Sequence, residues 1–155
     1  MRIERLQAGF DRWGDLLALI LDAFSYMQTR IDPPSSALRL TPETLRRKAA
    51  VEIVYLAWDG PELLGCVFLR PEADCLYIGK LAILPSAQKQ GVGKAFLQVA
   101  QDCAAHLHLP ELRLETRVEL VENHLVFARW GFVKTAENAH PGFTRPTSIE
   151  MRKVL

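Results

Sequence analysis

Apolar residues recur along the chain with two different spacings, and each spacing predicts one type of secondary structure. In residues 15–27 the apolar side chains return every three or four positions, which predicts an amphipathic helix. A second helix is predicted to begin after Thr41, a good N-cap residue, with Pro42 in its first turn. The stretch between them, TRIDPPSSALRL, contains paired prolines and predicts a loop, whose position favours a connector over a substrate loop.

Shorter apolar runs, bounded by turn residues, predict the strands. MRIERL is the first, and VEIVYLAWDG, ELLGCVFLR and DCLYIGKLAIL, separated at residues 59–61 and at Pro71, predict an antiparallel meander. ELRLETRV, FVKTAE and TSIEMRKVL are the last three strands. Two further helices are predicted, one that begins after residues 91–93 and ends before Pro110, and one over ENHLVFARW that ends at Gly131.

The predicted order is β-α-α-β-β-β-α-β-α-β-β, which indicates a mixed α/β fold around a largely antiparallel sheet. The strand–helix–strand unit over residues 74–116 is expected to pair in parallel, with a right-handed crossover. The chain has no internal repeat, low-complexity tract or linker. Residues 1–155 are therefore predicted to form a single domain, long enough to bury a core.

Composition narrows the class of protein without naming a function. The chain is 49% hydrophobic and 24% charged, and its 19 basic and 18 acidic side chains give a net charge of +1, which favours neither a nucleic-acid surface nor an acidic tail. No segment resembles a signal peptide or reaches the roughly 18 apolar residues that span a bilayer. Three cysteines without a CxxC pair predict reduced thiols in a cytoplasmic protein, and no metal site is predicted.

The glycine-bearing turn at residues 88–94 is the clearest candidate for chemistry. It joins a predicted strand to a predicted helix, where free backbone N–H groups and the helix dipole attract an anion such as phosphate. A P-loop is rejected because Gln88 stands at its first glycine and Ala95 follows the lysine. A dinucleotide-binding GxGxxG is rejected because Phe96 stands where a small residue belongs.

The segment Gln88-Lys89-Gln90-Gly91-Val92-Gly93 resembles the acetyl-CoA pyrophosphate loop of the GNAT superfamily of N-acetyltransferases. The preceding KLAILP resembles the fourth strand of that superfamily, and NHLVFARWGF resembles its closing helix. Element order agrees over essentially the whole chain. The resemblance implies the GNAT fold and acetyl-CoA as co-substrate.

The resemblance also implies which residues hold acetyl-CoA. Its fourth and fifth strands splay apart, leaving a V-shaped slot for the pantetheine arm. On this basis the cofactor-binding residues are Leu81, Ala82 and Ile83 along the arm, Gln88, Lys89, Gln90, Gly91, Val92, Gly93 and Lys94 around the pyrophosphate, and Asn123 and Phe127 near the thiol. Two alternatives stay open, since Asn123 can instead cap a helix and Phe127 can instead belong to the core.

The candidate general base is Glu115. The segment Leu114-Glu115-Thr116-Arg117 resembles a segment of ribosomal-protein alanine acetyltransferases in which the matching glutamate is the base. Strand alternation also places Glu115 on one face with Arg113 and Arg117, so the alternatives are a structural ion pair and a residue that orients the substrate ammonium.

The proton donor for the leaving thiolate departs from the superfamily. Many members carry a tyrosine four residues before the closing Gly-Phe, and here that position is Phe127, which has no proton to give. The other candidate donors are Tyr77, predicted to share a strand face with Leu81 and Ile83, and also Tyr26 and His140. Alternatively, the thiolate leaves towards solvent and backbone amides without a general acid.

The acceptor side is the least specified by the sequence. The candidate acceptor-binding residues are Arg30, Asp32, His140 and Arg145. They either bind a polar or anionic acceptor or are simply solvated. The resemblance implies acetyl transfer to a primary amine, which can be a small amine, an amino acid or a peptide N-terminus, and dimers are common in the superfamily. The alternative, suggested by Phe127, is a catalytically weak acyl-CoA-binding sensor or interaction module.

Overall fold

The computed structural model describes residues 1–155 in full. Its α-helices and strands follow the predicted order, and three short 3₁₀ turns, Ser25–Met27, Ser36–Arg39 and Pro85–Ala87, lie between them. The elements are β1 Arg2–Arg5, α1 Trp13–Phe24, α2 Pro42–Val51, β2 Ile53–Asp59, β3 Glu62–Pro71, β4 Leu76–Ile83, α3 Val92–His106, β5 Glu111–Arg117, α4 Val121–Arg129, β6 Val133–Asn138 and β7 Ser148–Val154.

Local signals set the boundaries of the first two helices. α1 ends at Phe24 and continues as a 3₁₀ turn, Ser25–Met27, so the predicted helix 15–27 is regular only in its first part. Thr41 caps α2 as predicted, because its hydroxyl accepts from the Thr44 N–H at 3.1 Å and the Thr44 hydroxyl accepts from the Thr41 N–H at 2.8 Å. This reciprocal capping box satisfies two N–H groups at the start of α2.

All seven strands join one sheet in the order β1-β2-β3-β4-β5-β7-β6. β4 and β5 are parallel, as predicted for the strand–helix–strand unit, and the other neighbours are antiparallel. One face packs on α1 and α2, with Phe68 at its centre beside Leu16 and Ile20. The other face packs on α3, where Phe96 and Leu112 are buried. Two apolar layers therefore hold a sheet between helices.

β4 and β5 separate after a short parallel contact. They pair only at Leu76–Leu112, Tyr77–Arg113 and Ile78–Leu114, although β4 continues through residues 79–83. The edge of β4 that faces β5 has no strand partner beyond Ile78. A gap thus opens in the middle of the sheet, as the resemblance implied.

A β-bulge in β4 overturns one prediction. Val67 pairs with Leu81 and Leu69 pairs with Ile78, so β4 has one more residue than β3 over this stretch. The extra residue inverts the side-chain alternation, and Ile78 and Leu81 both pack into the α3 layer. The prediction that Tyr77 shares a face with Leu81 and Ile83 is wrong, because simple alternation does not anticipate a bulge.

Two further features concern the chain as a whole. The three cysteines are unpaired, and no group of His, Cys, Asp or Glu side chains is arranged to hold a metal ion. None of the helices combines the length and the apolar character needed to cross a membrane.

Candidate active site

The gap between β4 and β5 opens into a cleft that is lined by the start of α3, by α4 and by the end of α1, and we call it the first cleft. Its volume is about 810 Å³. Nine of the predicted cofactor-binding residues line this cleft. Other residues that line it include Phe24, Tyr26, Glu122 and Trp130. The predicted ones are Leu81, Ile83, Gln88, Lys89, Gly91, Gly93, Lys94, Asn123 and Phe127.

Three predicted cofactor-binding residues do not line this cleft with their side chains. Ala82 is buried in the apolar layer on the α1 side, and Val92, the first residue of α3, is buried in the layer on the α3 side. The Gln90 side chain folds back and donates to the Ser86 carbonyl at 3.0 Å. At these three positions only the backbone is available to a ligand.

The turn before α3 presents a row of unused backbone donors. None of the N–H groups of residues 89–94 donates to an acceptor within the protein. Gly91 is the N-cap of α3 with φ +83°, a left-handed conformation that favours glycine, and no side chain caps the helix. Free N–H groups at the positive end of a fifteen-residue helix form an anion-binding site. The geometry therefore fits a pyrophosphate.

Gly93 lies against Trp130, a residue that the sequence did not single out. A Cβ atom at position 93 would be 3.0 Å from the Trp130 ring. The absence of a side chain lets the first turn of α3 lie directly on α4, and the indole forms part of the cleft wall. Nothing in the local pattern separates Trp130 from an ordinary core tryptophan, because the contact links residues of two different helices.

Asn123 connects α4 with the end of α1. Its side-chain amide donates to the Tyr26 hydroxyl at 3.0 Å, and both residues line the first cleft. The N-cap of α4 is Leu120, so the alternative that Asn123 caps this helix is wrong. Phe127 was expected either to border the cofactor or to belong to the core, and it does both. It lines the cleft and also packs edge-on against Trp130, with ring centroids 5.7 Å apart.

A second cleft of about 450 Å³ opens on the face of the sheet that packs against α1. Tyr77, Glu115 and His140 line it, and Phe24 lines both clefts. The remaining walls come from the loop after α1, from β4 and β5, and from the β6–β7 loop. The two candidate catalytic residues therefore lie on the opposite side of the sheet from the glycine turn.

Only one of the two carboxylate oxygens of Glu115 has a partner within the protein. Its Oε1 accepts from the Asn138 side-chain amide at 3.0 Å and lies 3.7 Å from Nη1 of Arg113. Oε2 has no donor within the protein, and the side chain is 35% exposed. Glu115 is thus partly an ion-pair residue, as one alternative held, and it also keeps a free oxygen directed at solvent or substrate.

Two guanidinium groups lie over the aromatic ring of Tyr77. Arg113 lies 4.2 Å and Arg70 4.7 Å from its ring centroid, which is cation–π geometry. Burial raises the pKa of the Tyr77 hydroxyl, and the neighbouring Glu115 carboxylate raises it further. A phenol with a raised pKa is a weaker proton donor.

His140 faces the second cleft as a neutral ring. Burial lowers its pKa from 6.5, and the positive charge of Arg117 lowers it further. Its Nδ1 is in contact with the Thr147 hydroxyl, which also accepts from the His140 backbone N–H at 2.9 Å.

Arg30, Asp32 and Arg145 line neither cleft and are engaged in ion pairs. Arg30 forms a two-pronged contact with Glu122, and Arg145 donates to the Asp32 carboxylate at 3.1 Å. These pairs fasten the loop between α1 and α2 to α4 and to the β6–β7 loop. They hold a wall of the site in place.

That loop is a wall of the second cleft and is more than a connector. Pro33, Pro34, Ser35 and Ser36 line the cleft. Arg117 reaches under the loop and donates to the carbonyls of Pro33 at 2.6 Å and Pro34 at 3.1 Å. The sequence of the loop does not indicate this role, because Arg117, which anchors the loop, lies more than 80 residues away in the chain.

Comparison with known proteins identifies the class. The sequence matches the model of the acetyltransferase (GNAT) family over residues 13–132. The protein is an acyltransferase. More narrowly, it belongs to the GNAT acetyltransferase family. A search of curated protein sequences finds no match.

Solved structures of this family share the fold at low sequence identity. A GNAT family acetyltransferase from Elizabethkingia anophelis with acetyl-CoA bound is 21% identical, with 99% of this chain and 97% of that chain covered and a TM-score of 0.70. The PaiA N-acetyltransferase of Thermoplasma acidophilum, in complex with coenzyme A, is 15% identical over 100% of both chains, with a TM-score of 0.82. A ribosomal-protein alanine N-acetyltransferase from Escherichia coli is 18% identical, covering 99% and 92%, with a TM-score of 0.69.

Proposed function

We propose that this protein transfers an acetyl group from acetyl-CoA to a primary amine by direct attack, and that residues 1–155 form one N-acetyltransferase domain. The supporting observation is the pair of clefts that meet at the gap between β4 and β5. One offers a row of free N–H groups for a pyrophosphate, and the other offers a carboxylate with a free oxygen. The solved relatives with acetyl-CoA or coenzyme A share this fold.

The first cleft is the donor side. Acetyl-CoA supplies an activated acetyl thioester. The N–H groups of residues 89–94 bind its pyrophosphate, and Lys89 and Lys94 add positive charge at the rim. Leu81 and Ile83 flank the pantetheine arm, and the unpaired backbone of β4 supplies hydrogen bonds to it. Asn123 and Phe127 border the thiol end.

Glu115 accepts the proton of the attacking amine. An alkylamine has a pKa of about 10, so it must lose a proton before it can attack a carbonyl carbon. Oε2 of Glu115 is available for that proton directly or through water, because Asn138 and Arg113 engage only Oε1. A backbone N–H of β4 beyond Ile78 polarises the thioester carbonyl as an oxyanion hole does.

Tyr26 gives the proton to the departing thiolate. Its hydroxyl is in the first cleft, and the amide of Asn123 donates to the phenol oxygen, which leaves the phenol proton free. Tyr77, the candidate that the sequence favoured, lines the second cleft and has a raised pKa, so Tyr26 is the better proton donor for this step. Tyr26 thereby replaces the hydroxyl that Phe127 lacks.

The alternative function is a catalytically weak acyl-CoA sensor, and Phe127 favours it. The two functions differ in product formation. Incubation of the full chain with acetyl-CoA and a panel of amines, with thiol release and acetylated product both measured, should give stoichiometric amounts of each. Acetyl-CoA that raises the melting temperature without any product identifies a sensor. No thermal shift at millimolar acetyl-CoA contradicts both functions.

A further inference from the structure

The second cleft carries an excess of positive charge. Its lining includes three basic side chains, Arg39, Lys80 and Arg117, and one carboxylate, Glu115. His140 adds no charge near pH 7, because its pKa is lowered. Three positive charges against one negative leave a net charge of +2. An acceptor cleft that bound only an ammonium group would instead be acidic.

Lys80 is a half-buried cation without a carboxylate partner. Its only hydrogen bond within the protein is from Nζ to the Ser36 hydroxyl, at a long 3.4 Å. The carboxylate of Glu52 acts on Lys80 from nearby, but it bonds to Lys48 at 2.6 Å. Burial of Lys80 costs free energy that no ion pair offsets, and a bound anion would offset it.

Arg39 is the second unpaired cation. It lies at the end of the 3₁₀ turn Ser36–Arg39, lines the cleft, and forms neither an ion pair nor a hydrogen bond within the protein. Arg117 differs, because its guanidinium is occupied by two proline carbonyls. Lys80 and Arg39 are therefore the cations that remain available to a ligand.

We propose that the amine accepted by this enzyme also carries an anionic group, a carboxylate or a phosphate, which binds Lys80 and Arg39 while the amine faces Glu115. The inference rests on the proposed acetyltransferase function. The cleft volume of about 450 Å³ is that of a small-molecule site. Polycationic amines are excluded by repulsion from the same side chains.

The anionic group of the acceptor offsets the electrostatic cost of bringing an amine into a positive cleft. Lys80 and Arg39 thus recognise the anion, and removal of the amine proton is left to Glu115.

The test compares amines in pairs, one with the anion and one without, with each rate expressed per concentration of free amine. An α-amino acid is paired with its carboxamide, and an aminoalkyl phosphate with the corresponding amino alcohol. In the wild type the anionic member of at least one pair should have a kcat/KM on the order of tenfold higher or more, since a charge-assisted hydrogen bond is typically worth that much. Which pair responds distinguishes carboxylate from phosphate.

Variants locate the effect. Lys80→Gln and Arg39→Gln should each lower kcat/KM for the anionic member on the order of tenfold, and so shrink its advantage over the neutral member. Arg46→Gln removes an exposed charge from α2 outside the cleft and should preserve the preference. Because Arg39 is exposed and unpaired, its variant remains informative if Lys80→Gln fails to fold.

Binding supplies a readout independent of turnover. Calorimetry should show the N-acetylated form of the preferred anionic acceptor binding the wild type more tightly than its neutral counterpart. Equal kcat/KM within both pairs, equal binding of the two acetylated forms, or a preference for polyamines would overturn the proposal. Acetyl transfer to neutral amines alone would do so while leaving the proposed function intact. An absence of transfer to every amine, together with anion binding lost in Lys80→Gln, would instead contradict the proposed function.

Discussion

The side-chain amide of Asn123 donates to the hydroxyl of Tyr26 at 3.0 Å, and this contact joins α4 to the 3₁₀ turn that follows α1. The two residues are 97 positions apart in the chain. Their contact fixes a phenol in the first cleft, which Phe127 also lines. The proposed proton donor thus comes from a different element of the fold than Phe127.

Replacement of Tyr26 by Phe removes that proton and keeps the ring. We expect kcat to fall roughly 100-fold, since a positioned general acid contributes about 10²–10⁴-fold. The dissociation constant for acetyl-CoA, measured by calorimetry, should stay within about twofold of the wild type. Tyr55→Phe is the matched control, because Tyr55 lies in a separate groove between β2 and α3. Wild-type turnover in Tyr26→Phe would show that the thiolate is protonated by another group.

Replacement of Glu115 by Gln removes the proposed base and keeps the contact with Asn138. We expect kcat/KM for the amine to fall on the order of 10²-fold or more at pH 7, and to recover in part at high pH, where the free amine is abundant. Glu62→Gln, at the exposed start of β3, is the control. A change in stability without a change in pH–rate profile would reduce Glu115 to an ion-pair residue.

Gly91→Ala should weaken acetyl-CoA binding more than it weakens the fold. An alanine at φ +83° is strained by about 1–2 kcal/mol, and relief of that strain would rotate the N–H groups of the turn. Gly60→Ala imposes similar strain in the β2–β3 hairpin, where φ is +57° and no atom is within 4 Å of the added Cβ. The melting temperature should fall in both variants, and the stabilisation by acetyl-CoA should be reduced only in Gly91→Ala. Equal stabilisation in both would contradict the pyrophosphate assignment.

Glu72→Gln tests the ion pair beside the second cleft. Arg113 donates to the two oxygens of Glu72 at 3.0 and 3.1 Å, and these bonds hold the pKa of Glu72 at about 2, below its ordinary 4.5. A lowered folded-state pKa stabilises the protein fully above pH 4.5, and the stabilisation is lost as the pH falls through about 2. At pH 7 the unfolding free energy of the variant should therefore be about 2 kcal/mol lower than that of the wild type. This difference should shrink as the pH falls below 5.

Urea unfolding monitored by tryptophan fluorescence measures this difference across the pH series. Glu43→Gln, which breaks an exposed 3.8 Å pair with Arg47, should change the unfolding free energy by less than about 0.5 kcal/mol. A pH-independent loss in Glu72→Gln would mean that Glu72 stabilises the fold by packing and not by charge.

Local patterns carried much of the prediction. The element order followed from apolar spacing and turn residues, and Thr41 capped its helix as its residue type indicated. The face of Tyr77 was mispredicted, because a bulge in β4 depends on how two strands pair and leaves no mark in alternation. Arg30 and Arg145 were plausible ligands in the sequence, and only their partners in space, Glu122 and Asp32, show that they are engaged.

The sequence by itself determined the helices, the strands, the family resemblance and the glycine turn, since each depends on residues close together in the chain. Only the tertiary structure decided which side chains meet at the gap in the sheet. It placed Tyr26 beside Asn123, put Glu115 on the face opposite Gly91, and left Lys80 without a carboxylate. These relationships depend on strand register and on contacts across the fold, where the free energy of a charge is set by neighbours that are distant in sequence.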